Sequence, residues 1–506
     1  GIEKAAVNLV GFGKTKLLAA NQSEDVTVTI KVKDLASFDW NDANKDQHAG
    51  YEVERGDYIL SIRTDSHTLA ASGADGSKTL SAATQLNYEE DNDSSTPNNI
   101  YSQTSGAWEM FNTDANHWTT NDISDHTLSR ATLLNADKTG PSALTNLSWL
   151  ITDDNEFKDE AFNVLNARTG NVATGWDYDN AATLEKETDY QNIWLKTAKD
   201  MEGKTQGTGG ADDKTGLYAV TLANMKDAEG NPLSDYDSEK WDQLLDQLTW
   251  EELSNFVSKG GYLTAALPSI GKLQVTDQDG PQQTKANGKP GWAWVGAGVI
   301  SSTWNVELAE RHGALVGWES QLNDGAGWYG PAANTHRNTL SGRNFEYYSQ
   351  DGVQGGKIVA AVVRGCVENG GRVYLKHTFL NDQETDRSGI ATFCNEQAIR
   401  EIYLKPFELG IREGKANGLM SSFNLIGLTT SASYATNIQL YTNEFGYKGA
   451  TVTDFWSAGA TGWNGFNMVR GLQFPLGTSS NNASAKLEGV WDADANVVKV
   501  GDTASY

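Results

Sequence analysis

Ala450-Thr451-Val452-Thr453-Asp454-Phe455-Trp456 reads as a short apolar strand that ends in a carboxylate and two aromatic rings. Two earlier stretches are built the same way. Val373-Tyr374-Leu375 runs into Lys376-His377, and Gly418-Leu419-Met420 runs into Ser421-Ser422-Phe423-Asn424. A purely structural strand has no need of such polar ends. Helix-period patterns recur at about residues 306–322, 353–368, 393–413 and 435–445. Short apolar strands alternating with helices are the signature of a β/α barrel, in which the C-terminal strand ends converge. Residues far apart in sequence are then expected to meet in one pocket.

The alternation of helices and strands begins near residue 237. Ser238 can cap a helix that buries Trp241, Leu244, Leu245 and Leu248, and Thr249 to Glu252 has the form of a capping box. Upstream, residues 84–236 are rich in Asp, Asn, Thr, Ser and Gly, as in Glu89-Glu90-Asp91-Asn92-Asp93, and are expected to form an irregular connector. Residues 1–83 alternate like strands of a β-sandwich. Val26, Val28, Ile30 and Val32 share one face, and Tyr58-Ile59-Leu60-Ser61-Ile62 follows the turn residues Arg55-Gly56-Asp57. The expected organisation is therefore an all-β sandwich at 1–83, the connector, and a TIM-like β/α barrel at 237–506.

Composition narrows the function. The chain of 506 residues has 66 acidic against 40 basic side chains, a net charge of −26. Such a surface repels phosphate backbones and anionic membranes, so nucleic acid is not an expected partner. The 16 Trp, 18 Tyr and 15 Phe suit neutral sugars, whose rings stack on aromatic faces. Cys366 and Cys394 both fall in apolar helical patterns and are expected to be buried thiols. No run approaches the ~18 apolar residues of a membrane span. Cytoplasm is favoured as the compartment, although any signal or anchor would precede Gly1. Asp492-Ala493-Asp494-Ala495-Asn496 imitates the start of a calcium loop but lacks the later Gly and Glu, so a solvated loop is expected. No zinc motif or phosphate loop occurs, and neither metal nor cofactor is expected.

Six motifs then appear in order: Gln278-Asp279-Gly280-Pro281, Gly342-Arg343-Asn344-Phe345-Glu346, Lys376-His377, Asn381-Asp382-Gln383-Glu384 with Arg387, Met420-Ser421-Ser422-Phe423-Asn424, and Thr453-Asp454-Phe455. Over about residues 237–475 this pattern resembles glycoside hydrolase family 3. The N-terminal stretches Val7 to Thr15 and Asp34 to Asp39 resemble the fibronectin-III-like module attached to many of its members.

The resemblance implies a retaining exo-β-glycosidase acting on terminal β-D-glucose. Asp454 matches the family nucleophile, and Asp279 matches the carboxylate that clamps the distal hydroxyls of the terminal sugar. Arg343, Lys376 and His377 match the donors that hold the remaining hydroxyls, while Phe423 and Trp456 would complete the pocket. The bland alternatives are a helix cap for Asp454, a turn for Asp279 and a salt bridge to Glu346 for Arg343. Glu384 and Arg387 are expected to support the pocket from behind, and Arg337 to be structural. Trp292, Trp294, Trp328 and Trp463 are further stacking candidates whose alternative is core or rim.

Three departures stand out. Phe423 replaces a Tyr whose hydroxyl would reach the nucleophile, and Phe455 stands where Trp is frequent. No segment resembles the α/β sandwich domain that supplies the family's acid/base. Thr378-Phe379-Leu380-Asn381 also lacks the alternative acid motif of the family's N-acetylglucosaminidases. The proton donor is therefore expected from such a domain or chain outside this sequence. A β-xylosidase and a carbohydrate-binding scaffold with impaired catalysis remain alternatives, and a homodimer stays open. A purely adhesive surface module would explain the sandwich but not the strand-end motifs.

Overall fold

The computed structural model describes residues 1–88 and 222–454, each with short gaps, and short strands at 473–474, 491–492 and 497–498. Nearly all of the expected connector lies outside the described residues, as do Cys394, Phe455, Trp456, Trp463, Asp494 and Asn496.

In the N-terminal part, β1 (Ser37–Asp39), β2 (Gly50–Val53) and β5 (Leu86–Tyr88) form one antiparallel sheet in the order β1-β2-β5. β3 (Gly56–Ser61) pairs with β4 (Ser77–Ala82) in a separate antiparallel ladder. β3 covers most of the strand expected at Tyr58–Ile62. The strand expected at Val26–Val32 is not formed: Val32–Leu35 is a 3-10 turn, and Val26 and Val28 are 42% and 40% exposed. Their side chains lie beside Gly11 and Gly13, but no ladder joins the two segments. An alternating pattern becomes a strand only when a neighbour supplies backbone partners and a surface to cover.

This module rests on the C-terminal part. The Phe38 amide donates to Glu401 at 2.7 Å, and the Arg400 guanidinium lies over the Phe38 ring at 4.7 Å. The Lys405 ammonium stands over Tyr51, and Phe12 packs edge-on to Trp304.

The C-terminal part opens with α1 (Glu239–Leu245), which buries Leu244 against Met225, Leu248, Leu267 and Ile270. β6 (Leu263–Thr264) then pairs antiparallel with β7 (Val275–Asp279). After α2 (Ala297–Ser301) and α3 (Val306–Leu322), β8 (Gly327–Tyr329) adds parallel to β7. α4 (Gly352–Glu368) leads to β9 (Arg372–Val373) and β10 (Leu375–Thr378), two halves of one run that lies along β8. The helical stretch α5 (Glu396–Ala398) with the π turn Ile399–Tyr403, followed by α6 (Lys405–Arg412), returns the chain to β12 (Gly418–Ser421). β11 (Ala391–Thr392), β13 (Leu425–Ile426) and β14 (Thr429–Thr430) form a small separate sheet. β12 pairs in parallel with β10 and β15 (Ala450–Val452), and β15 with β16 (Gln473–Phe474). β17 (Trp491–Asp492) and β18 (Val497–Val498) form a ladder of their own.

From β7 to β16 the parallel neighbours follow chain order, as successive β/α units require. Their C-terminal ends therefore lie along one edge, which is where the motifs sit. α4 is apolar almost all round and buried: Ile358, Val359, Val362, Val363 and Cys366 are each 0% exposed. Such a helix must be covered on every side. α3 and α6 cover it, with Val373 and Leu375 of the sheet in the same core. Asp351 accepts from the Val353 and Gln354 amides, and Asn305 from Leu308, so α4 and α3 each start on a side-chain cap. Burial pushes the unpaired Cys366 thiol up to about 12, in line with an inert core thiol.

Candidate active site

The site is assembled at the ends of β7, β8, β10, β12 and β15. Beneath it, Tyr329, Tyr374, Met420 and Val452 form a buried apolar layer, with Tyr262 packed against it. Such a floor excludes water from below and holds the polar residues above it at fixed heights.

Lys376 and His377 follow Leu375 within β10, where the register against β12 shifts between Leu375 and Thr378. Irregularities of this kind re-aim side chains beside active sites. The Lys376 amide donates to Pro331, and the Ala333 amide donates to the Lys376 carbonyl at 2.7 Å. Asn334 grips His377 from both sides. Its Oδ1 accepts from the His377 amide at 2.9 Å and its Nδ2 donates to the His377 carbonyl at 2.9 Å. His377 Nε2 lies 3.5 Å from Asp454 Oδ2. Burial, then the Arg343, Lys376 and Arg387 charges, lower the imidazole pKa well below its usual value. His377 is therefore neutral, and it meets Asp454 as a dipole rather than an ion.

Burial also lowers Lys376, while Glu346 3.9 Å away works to keep it charged. Arg343, Asp454 and Asp279 act electrostatically on the same ammonium, so these residues lie within electrostatic range of it. Arg343 is paired to Glu346 through Nε and lies 3.8 Å from Glu384. Burial alone would lower its pKa, but Glu346 and its other neighbours raise it instead, so the guanidinium keeps its charge. The ion pair weighed as the alternative for Arg343 is thus present, and it orients the fork.

Glu384 is held in turn by Asn381 at 3.2 Å and Arg387 at 2.7 Å. Phe423, buried at the end of β12, has the Arg387 guanidinium over its ring at 4.6 Å. Arg337 stands over the Tyr403 ring. Trp328 is fully buried and belongs to the core rather than to a stacking surface. A Cβ on Gly280 would fall 2.0 Å from Trp328 Nε1, so the Asp279-Gly280 turn requires a glycine there. Trp294 packs on His312 and donates to Glu319, whereas Trp292 is 60% exposed at the rim.

Two contributors were not singled out from sequence. Asn334 follows β8, and its position at a strand end was the available signal. Tyr262 precedes β6, with its phenol close enough to Asp279 and Asp454 to feel both charges. Among the described residues no group of His, Cys, Asp and Glu is arranged to hold a metal ion, and no helix is long and apolar enough to cross a membrane.

Residues 1–66 match the family of fibronectin type III-like domains. A stretch of 197 residues is 34% identical to β-glucosidase A of Butyrivibrio fibrisolvens, covering 38% of this chain and 24% of that protein. Another of 181 residues is 35% identical to a β-glucosidase of Ruminococcus albus, covering 35% and 19%. The matched stretch thus spans about a quarter or less of these relatives' length. The crystal structure of a β-glucosidase from Paenibacillus barengoltzii superposes with a TM-score of 0.61 at 20% identity, over 99% of this chain and 48% of that one. At that identity the likeness concerns the fold. The chain is similar to β-glucosidases in sequence over more than a third of its length, and in fold over nearly all of it.

Proposed function

We propose that this chain carries the sugar-binding and nucleophile-bearing part of a retaining exo-β-glycosidase that releases terminal β-D-glucose from small glucosides. We read its parallel strands as the wall of a β/α barrel with the pocket at their C-terminal ends. The observation that carries the reading is the contact of Asp454 with neutral His377 at 3.5 Å, with Asp454, Arg343 and Asp279 all within electrostatic range of Lys376. An isolated helix cap has no reason to gather two cations and a second carboxylate about it.

The chemistry follows from that grouping. Asp454 attacks the anomeric carbon as the bond to the leaving oxygen breaks, giving a glycosyl ester that water then cleaves. The Arg343 fork and the Lys376 ammonium donate to sugar hydroxyls, and these bonds strengthen as positive charge develops on the ring. Asp279 accepts from the distal hydroxyls. Leaving-group protonation needs a separate acid. Glu384 is a poor candidate, because its oxygens are engaged by Asn381 and Arg387. We assign that step to a group outside this chain, such as an α/β sandwich domain or a partner chain.

The test compares nitrophenyl β-glucoside, nitrophenyl β-xyloside and methyl β-glucoside, with the first-formed anomer read by proton NMR. The expected result is cleavage of the nitrophenyl glucoside ahead of the xyloside, with β-glucose appearing first. Methyl glucoside should be slower by about 10²–10⁴-fold, the usual worth of a general acid. Release of the α-anomer first would overturn the retaining mechanism. Equal rates on methyl and nitrophenyl glucosides would show that the acid lies within this chain.

A further inference from the structure

Tyr262 is held by three separate features of the fold. Its backbone sits at φ 57°, in the left-handed region that bulky side chains avoid. Residues kept in such conformations are over-determined by their surroundings and cluster at functional sites. Its carbonyl accepts from the Asp277 amide at 2.7 Å, which ties it to β7 two residues before Asp279. Its ring lies 5.6 Å from that of Tyr329, which in turn packs edge-on to Tyr374 at 5.1 Å. Backbone and ring are thus fixed on the apolar floor, and only the hydroxyl projects among the polar groups. There the Asp279 and Asp454 charges both act on it.

We propose that Tyr262 is a glycone-positioning residue. Its phenol O–H donates to the Asp279 carboxylate and orients it to accept from the distal hydroxyls of the terminal sugar. A carboxylate on a short side chain rotates freely unless one oxygen is engaged. With one lone pair taken by Tyr262, the remaining ones point towards the pocket and their ordering cost is met before the sugar arrives. The direction of the phenol's titration agrees, because burial and then the Asp279 and Asp454 charges raise it, so the hydroxyl stays protonated as a donor. A ring needed only for packing would serve equally well as Phe.

This inference rests on reading Asp279 as the clamp for the distal hydroxyls. The test is calorimetric titration of the intact protein and its Tyr262→Phe variant with glucose, 4-deoxyglucose and 6-deoxyglucose. Phe keeps the stacked ring, so the thermal midpoint should hardly move. Glucose should bind the variant about 10-fold more weakly, the fold-change of one charge-assisted hydrogen bond. The loss should shrink for at least one of the two deoxy sugars, whichever lacks the hydroxyl that Asp279 accepts. Equal glucose affinity for the two proteins would overturn the proposal alone, as would one loss common to all three sugars. Wild-type protein that binds none of the three would overturn the underlying reading of the site, and the proposal with it.

Discussion

Asp382 shows how one buried carboxyl can give the site loops a pH dependence. Its Oδ1 accepts both the Thr335 amide and the Thr335 hydroxyl at 2.7 Å, joining the segment after β8 to the segment after β10. Burial pushes its pKa up to about 6, against the opposing effects of those hydrogen bonds and of Arg337. The folded protein therefore binds this proton more tightly than the unfolded chain does. The resulting stabilisation is complete below the ordinary carboxyl range and is lost as pH rises through about 6. Asp382→Asn keeps the accepting oxygen and removes the titration. Thermal unfolding of the variant should lose the decline between about pH 4 and 6 that this group contributes, a difference on the order of 3 kcal/mol. Parallel profiles for the two proteins would contradict the assignment. Asp382 itself was visible in sequence only as part of a motif. The grouping of Asp279, Arg343, Lys376, His377 and Asp454 was legible because each follows an apolar strand or forms part of an ordered motif. Tyr262 and Asn334 were not, because their roles depend on partners across the sheet that spacing along the chain does not reveal.

At the scale of elements, α3 and α4 approach so closely that side chains are excluded from the seam. A Cβ on Gly365 would lie 2.0 Å from the Glu310 carbonyl oxygen, and one on Gly313 would lie 2.0 Å from that of Val362. Both obstacles are main chain and cannot swing aside, so an added methyl must part the helices. Gly365→Ala should therefore cost about 1–3 kcal/mol or more through overpacking, despite the better helix propensity of Ala. Denaturant unfolding measures it, and an unchanged midpoint would show that the seam is looser than described. The two helices were legible almost to the residue, at 306–322 and 353–368 against Val306–Leu322 and Gly352–Glu368. Long apolar periodicity is a strong signal, because a buried helix satisfies its own backbone. The stretch from Val26 to Val32 carried an equally regular alternation and formed no strand. Strand formation needs a partner, and the partner is not encoded in the alternation.

At the scale of the whole molecule, the N-terminal module and the strand-and-helix part share a polar joint. Arg400 is buried and bonded to Glu396 at 2.7 Å and bidentately to Glu444 at 2.6 and 3.0 Å, and its guanidinium face meets Phe38 of the module. Removing one partner of such a network leaves an uncompensated buried charge beside the ring that the module contributes. The pocket proposed above for a neutral sugar then lies in a chain of net charge −26. That account stands or falls on Asp454. The direct measurement is incubation with an activated 2-deoxy-2-fluoro-β-glucoside, followed by digestion and peptide mass spectrometry. The fluorine slows hydrolysis of the glycosyl ester so that it accumulates. The account predicts a single fluoroglucosylated peptide containing Asp454, and none from Asp454→Gly. Label on a peptide containing Asp279 or Glu384, or label that persists in Asp454→Gly, would contradict it.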